Sequence, residues 1–156
     1  MSGTTSKTIG LRVIAPQLRE EALAVAAITP GQLLERTSVD KFQRHSVAGG
    51  LHGRLIALED ELQGKGITTD YAVGARVQAK VFVPGEKANM LLADGESVAI
   101  GDLAASNGDG DVRAATADSS GMVLEEDVVG FFRAALDLSG SSGADPTSRR
   151  VAVEIK

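Results

Sequence analysis

One phrase is written twice in this chain, and a fold must give both copies the same job. Residues 28–46 read ITPGQLLERTSVDKFQRHS and residues 98–116 read VAIGDLAASNGDGDVRAAT. Each runs apolar, Gly, polar, Leu, a small polar turn, then a hydrophobic residue beside a basic one. Gly31 aligns with Gly101, Leu33 with Leu103, Phe42 with Val112 and Gln43 with Arg113; a one-residue gap brings Gly50 to Gly121. Further on, GRLIALED (residues 53–60) lies opposite GFFRAALD (130–137) once the extra MVLEEDV of the second copy (122–128) is set aside. Two copies are too few for a solenoid. Two interlocked strand, turn, strand, loop, strand units that cover each other's apolar faces fit a small barrel.

Local patterns agree with strands. In residues 74–85, GARVQAKVFVPG, Val77, Ala79, Val81 and Val83 alternate with Arg76, Gln78, Lys80 and Phe82 before Pro84 and Gly85 end the run. That is the period of a half-buried strand. Asp94-Gly95 joins two short apolar runs and predicts a hairpin, because both turn positions must tolerate positive φ. The NGDG of residues 107–110 predicts another. Residues 149–156, RRVAVEIK, alternate Val151, Val153 and Ile155 with Arg150, Ala152 and Glu154, as a docked final strand does. Residues 18–28 (LREEALAVAAI) and 51–63 (LHGRLIALEDELQ) have helical propensity. The match to GFFRAALD turns the second into a strand and an acidic loop, whereas the first stays open between helix and strand. The expected fold is mainly β, a small β-barrel or β-tulip-like fold of two related units with few short helices. An extended arm covers residues 1–17 and one β-rich domain covers 18–156. The Gly/Ser stretch 139–148 reads as a surface loop.

Composition narrows the function. The 156 residues are 43% hydrophobic, enough for a core, but only 3% aromatic, with no Trp and one Tyr, so a stacking platform for bases or sugars lacks material. A net charge of −5 without a basic run argues against nucleic acid. The absence of cysteine rules out disulfides and thiolate chemistry. No apolar run is long enough to span a bilayer, and residues 1–7 are polar with no signal-type segment after them, so a soluble, unprocessed protein without membrane partners is expected.

Reactive constellations are weak. Asn107, Asp109 and Asp111 alternate like the start of a calcium loop, but Val112 and Asp118 stand where that loop needs Gly and a bidentate Glu. A hairpin turn is the better reading. His45 and His52 are the two imidazoles; with Asp60 they could be imagined around a metal, yet no HxH or HExxH spacing exists and both read as surface or loop residues. Glu59, Asp60 and Glu61 with Lys65 read as a solvated loop. No cofactor, no metal and no catalytic residue is expected, and the chain reads as a binding or assembly module rather than an enzyme.

The phrases ALEDELQGKGI (57–67), LLADGESVAIGD (91–102) and RVAVEI (150–155), in this order, resemble the head decoration, or cement, proteins of tailed bacteriophages. The resemblance covers the chain from about Ile28 onward and contains no catalytic signature. It implies a virion structural protein made in the bacterial host cytoplasm. Such a protein binds the outer surface of the expanded head as an oligomer, commonly a homotrimer, and stabilises contacts between major capsid proteins. It also implies an N-terminal segment reaching over the shell, which here puts Thr8, Ile9, Leu11, Val13 and Ile14 forward as capsid-binding residues able to add a strand to a sheet edge. A trimer interface is expected on residues 77–83 or on the arm. The competing reading is a small β-barrel carbohydrate- or ligand-binding or adhesion module.

Overall fold

The structure, a computed structural model, describes residues 6–123, 127–140 and 149–156. Expectations for residues 1–5, for the centre of the 122–128 insertion and for most of the Gly/Ser loop lie outside them. In chain order the strands are β1 (Gly10–Arg12), β2 (Arg19–Ala24), β3 (Leu33–Ser38), β4 (Lys41–Arg44), β5 (Leu55–Ala57), β6 (Arg76–Val81) and β7 (Lys87–Leu91). They continue with β8 (Ser97–Val98), β9 (Leu103–Ser106), β10 (Val112–Ala114), β11 (Val128–Phe132), β12 (Leu136–Asp137) and β13 (Arg150–Ile155). Among the described residues helical structure is limited to 3₁₀ geometry, in the turn Glu61–Gln63 and at Asp127. The protein is mainly β, as the sequence pattern predicts.

The first unit is a closed five-stranded barrel in the order β2-β4-β3-β5-β6. Residues 18–28, left open between helix and strand, supply β2. Ala22 and Ala24 face the narrow barrel interior, while one edge pairs with β6 over Arg19–Leu23 and the other with β4 at Leu23 and Ala24 alone. Pairing and burial override a weak helical preference. Phe42, Leu34, Leu55, Ala57, Val77 and Ala79 fill the rest of the interior.

The second unit repeats the first strand for strand: β7, β9, β10, β11 and β13 stand for β2, β3, β4, β5 and β6. Arg19 to Leu23 pair with Lys80 to Arg76, and Lys87 to Leu91 pair with Glu154 to Arg150. The Gly31/Gly101, Leu33/Leu103, Phe42/Val112 and Gln43/Arg113 matches hold in space, since β3 with β4 and β9 with β10 share one register. The later match is off by two. Leu55, Ile56 and Ala57, not residues 53–55, correspond to Gly130, Phe131 and Phe132 through their partners on β6 and β13. Even the parallel closure recurs: Val25 N–H donates to Phe42 O, and Ala93 N–H donates to Val112 O. In the second unit, however, that closure is a single bridge, Leu92 to Val112.

Two expectations change. Asp94-Gly95 does make a turn, with Gly95 at φ 79°, but not a hairpin: β7 pairs with β1 and β13, and β8 pairs with β12. In β6 the burial does not stay on one face. Val77 and Ala79 point into the barrel, whereas Lys80 and Phe82 are buried against the second unit. Both edges of β6 are also paired. Successive residues of a strand face opposite ways, so Leu33 and Ile56 join the larger core between the units while Leu34 and Leu55 stay in the barrel.

Candidate interaction surface

Residues 8–15 lie across the start of β7 and are held at both ends by buried carboxylates. Glu59, 7% exposed, accepts from the Thr8 hydroxyl and from the Ile9 backbone N–H at 3.1 Å. Ile9 then drops a fully buried side chain into the core between the units, and its carbonyl accepts from Asn89 N at 2.8 Å. β1 follows, pairing Gly10 with Ala88 and Arg12 with Lys87 across a bulge. At the far end Glu86, fully buried, accepts the backbone N–H groups of Ile14 at 2.6 Å and of Ala15 and Val83 at 2.8 Å. It also takes the ammonium of buried Lys80, which sits over the Phe82 ring. Burial alone would raise the Glu86 carboxyl, but donors from Ala15, Lys80, Val83 and Ile14 outweigh it and hold it below its usual range.

The five arm residues named from the sequence therefore divide. Thr8 and Ile9 are engaged inside the molecule, Leu11 is half-buried, and Val13 and Ile14 stand 41% and 62% exposed. Beside them a pocket of about 90 Å³ is lined by Thr8, Gly10, Val13, Arg19, Glu59 and Lys80, among others. A second pocket, of about 220 Å³, lies against Gln43, Arg44 and Asp109. Both fall short of the roughly 300 Å³ at which small-molecule sites begin.

The acidic stretch differs from expectation: Glu59 and Asp60 are buried, and Glu61 alone of the three is solvated. Donors from a segment 50 residues earlier make the burial of Glu59 possible, and local sequence carries no sign of them. Lys80 and Glu86 were missed for the same reason. One signal was present: Phe82 shares the parity of Lys80 in β6, and an aromatic side chain on a supposedly wet face marks a second buried one.

Both histidines lie outside the strands, in loop positions as read from the sequence, but His45 is not at the surface. His45 is 1% exposed; its Nε2 donates to Leu51 O at 2.8 Å, which leaves Nδ1 to accept from the Ser106 hydroxyl at 2.7 Å. It therefore ties β4 to β9. His52 is partly buried, and burial lowers its pKa, assisted by the neighbouring His45. Among the described residues no group of three His, Asp or Glu side chains is placed to hold a metal. The 107–111 loop is the β9 to β10 turn, with Gly108 and Gly110 at φ 90° and 91°. Its Asp111, raised by burial against the pull of Gln32 and Arg149, accepts from Gln32 at 3.1 Å and Arg149 at 2.7 Å. Arg150, set opposite the Val151, Val153 and Ile155 face by the alternation, is nonetheless 1% exposed and donates to Ile67 O and Asn89 O. Burial pulls its pKa down to about 10, against the pull of Glu59.

These features define a two-unit β fold whose β7 edge is capped by the chain's own N-terminal strand. No protein family's model matches the sequence, and no curated protein matches it. Among solved structures the fold is shared with the N base of head fiber gp8.5 in bacteriophage phi29, at a TM-score of 0.56 and 14% identity. The match covers 88% of this chain and 92% of that one.

Proposed function

We propose that the chain is a structural protein of a tailed-bacteriophage head, seated on the outer surface of the expanded shell as an oligomer and strengthening contacts between major capsid proteins. The observation that carries this reading is a fold shared over 88% of the chain with the base of a phage head fiber. The resemblance of residues 57–67, 91–102 and 150–155 to cement proteins supports it. In this reading the protein works without a chemical step: binding a surface that exists on the expanded shell alone stabilises that state by mass action. Repetition over a symmetric lattice multiplies modest contacts into avidity. Leu11, Val13 and Ile14 form the shell-facing contact, set in place by the Glu59 and Glu86 clamps, while Thr8 and Ile9 serve as its anchor.

The test is cosedimentation of the purified protein with expanded and unexpanded shells. Retention on expanded shells, with occupancy at least tenfold lower for Val13→Asp/Ile14→Asp at unchanged melting temperature, is the expected result. Equal binding to both shells, or to neither, would end this reading.

A further inference from the structure

We propose that the groove along β7 is a strand-acceptor site whose second occupant is residues 8–15 of another copy of the chain, exchanged between neighbours. The groove is specified in unusual detail for a surface edge. It offers Glu59 to a hydroxyl and one backbone N–H, a dry socket to a branched aliphatic side chain, the β7 edge to three extended residues, and Glu86 to two further N–H groups. Emptying it would take from buried Glu59 its Thr8 and Ile9 donors and from buried Glu86 two of its four donors, leaving Lys80 and Val83 alone to hold that carboxylate, a costly loss at buried sites. The groove must therefore be filled.

Nothing in those contacts requires the filler to come from the same molecule. All of them lie within residues 8–15, and the connection onward to β2 is three residues with Pro16 and Gln17 exposed. A single turn bond, Leu18 N–H to Ala15 O at 3.3 Å, closes that connection. If residues 16–18 straighten, the segment reaches a neighbour and makes the same bonds there, so exchange costs the hinge and gains from concentration. The first unit has no such site, because Leu18 stands where the second has Glu86: Val81 N–H donates to Leu18 O as Ile155 N–H donates to Glu86 O. Each chain thus carries one donor and one acceptor, the arrangement that closes head-to-tail rings. The inference concerns the purified chain and does not rest on attachment to a shell.

Because the chain has no cysteine, a cross-link reads the exchange directly. Arg12→Cys and Lys87→Cys variants are purified separately, mixed at high concentration and oxidised mildly. Exchange predicts mixed disulfide pairs at least tenfold above same-variant pairs. It also predicts a fivefold or greater loss of mixed pairs when a synthetic peptide of residues 6–15 is added in excess, but not when that peptide carries Ile9→Asp. The double variant Arg12→Cys/Lys87→Cys serves as the folding control and should close within one chain at high dilution. A double variant that never closes, or one that closes while the mixture gives no mixed pairs above chance, would overturn the proposal.

Discussion

The two units share strand order and register but treat the outer edge of their first strand oppositely. In the first, β2 presents Glu20 and Glu21 to solvent, where they pair with Arg36 and Arg76. In the second, the twin positions on β7 are Ala88 and Asn89, both fully buried under residues 9–12. One position earlier the contrast sharpens, with Leu18 38% exposed in one unit and Glu86 fully buried in the other. The lesson is that an edge can be protected in two ways. Charge keeps a bare edge from pairing, and a covering strand allows it to be apolar. A carboxylate may then sit inside, provided the covering strand brings the N–H groups that satisfy it.

The largest effect should come from Glu86→Ala, which leaves the buried Lys80 ammonium with the Val81 carbonyl but no counter-charge and takes the acceptor from three part-buried backbone N–H groups. A loss of about 3–5 kcal/mol in urea unfolding is expected, with Leu18→Ala at the twin position close to neutral. Gly130→Ala comes next, because a Cβ there would lie 2.0 Å from Glu154 O, whereas its twin Leu55 has room for a whole side chain in the barrel. About 3 kcal/mol is expected by the same measurement, since backbone cannot step aside. Third is the paired turn glycine. Gly31 and Gly101 both sit near φ 95°, but a Cβ on Gly31 would meet Asn89 O at 2.7 Å and one on Gly101 would meet nothing within 4 Å. Gly101→Ala should cost about 1 kcal/mol of backbone strain and Gly31→Ala at least twice that.

Acid sharpens the comparison further. The folded Glu86 carboxyl is held below its ordinary value of 4.5, so its contribution is complete above that value and lost as pH falls through the folded one. Asp111 is raised from 3.8, so its contribution is present below that value and lost as pH rises. Melting followed from pH 6 to pH 3 should therefore fall less steeply for Glu86→Gln than for the parent, and more steeply for Asp111→Asn. The smallest effect belongs to the exposed edge: Glu20→Ala breaks a solvated pair with Arg36 and should cost under about 1 kcal/mol.

Much of this fold could be read from the chain. The twice-written phrase matched β3 and β4 to their counterparts β9 and β10 in the right register, because turn glycines and the leucines after them obey local geometry. The last strand, Arg150–Ile155, followed from its alternation. What escaped the sequence was decided by distant partners. Lys80 and Arg150 look like solvent-facing residues until partners outside their own strands, Glu86 for one and Ile67 and Gly31 for the other, close over them. Glu59 looks like part of a charged loop until Thr8 and Ile9 arrive. His45 looks like the end of a strand until Ser106 and the Leu51 carbonyl take both ring nitrogens. The candidate surface was legible as a segment but not in its division of labour, since nothing local distinguishes buried Ile9 from exposed Ile14.

The position of β13 sets a timetable for the molecule's birth. It lies between β7 and β11 in its sheet, yet of these strands it is translated last. The barrel, finished with β6, can close while the rest is still being translated; its sibling waits half-assembled, with Leu33 and Ile56 bare, until residues 150–155 emerge. Until then the facing edges of β7 and β11 lack their shared partner, and unpaired edges beside apolar surface are what makes a partly folded chain prone to associate.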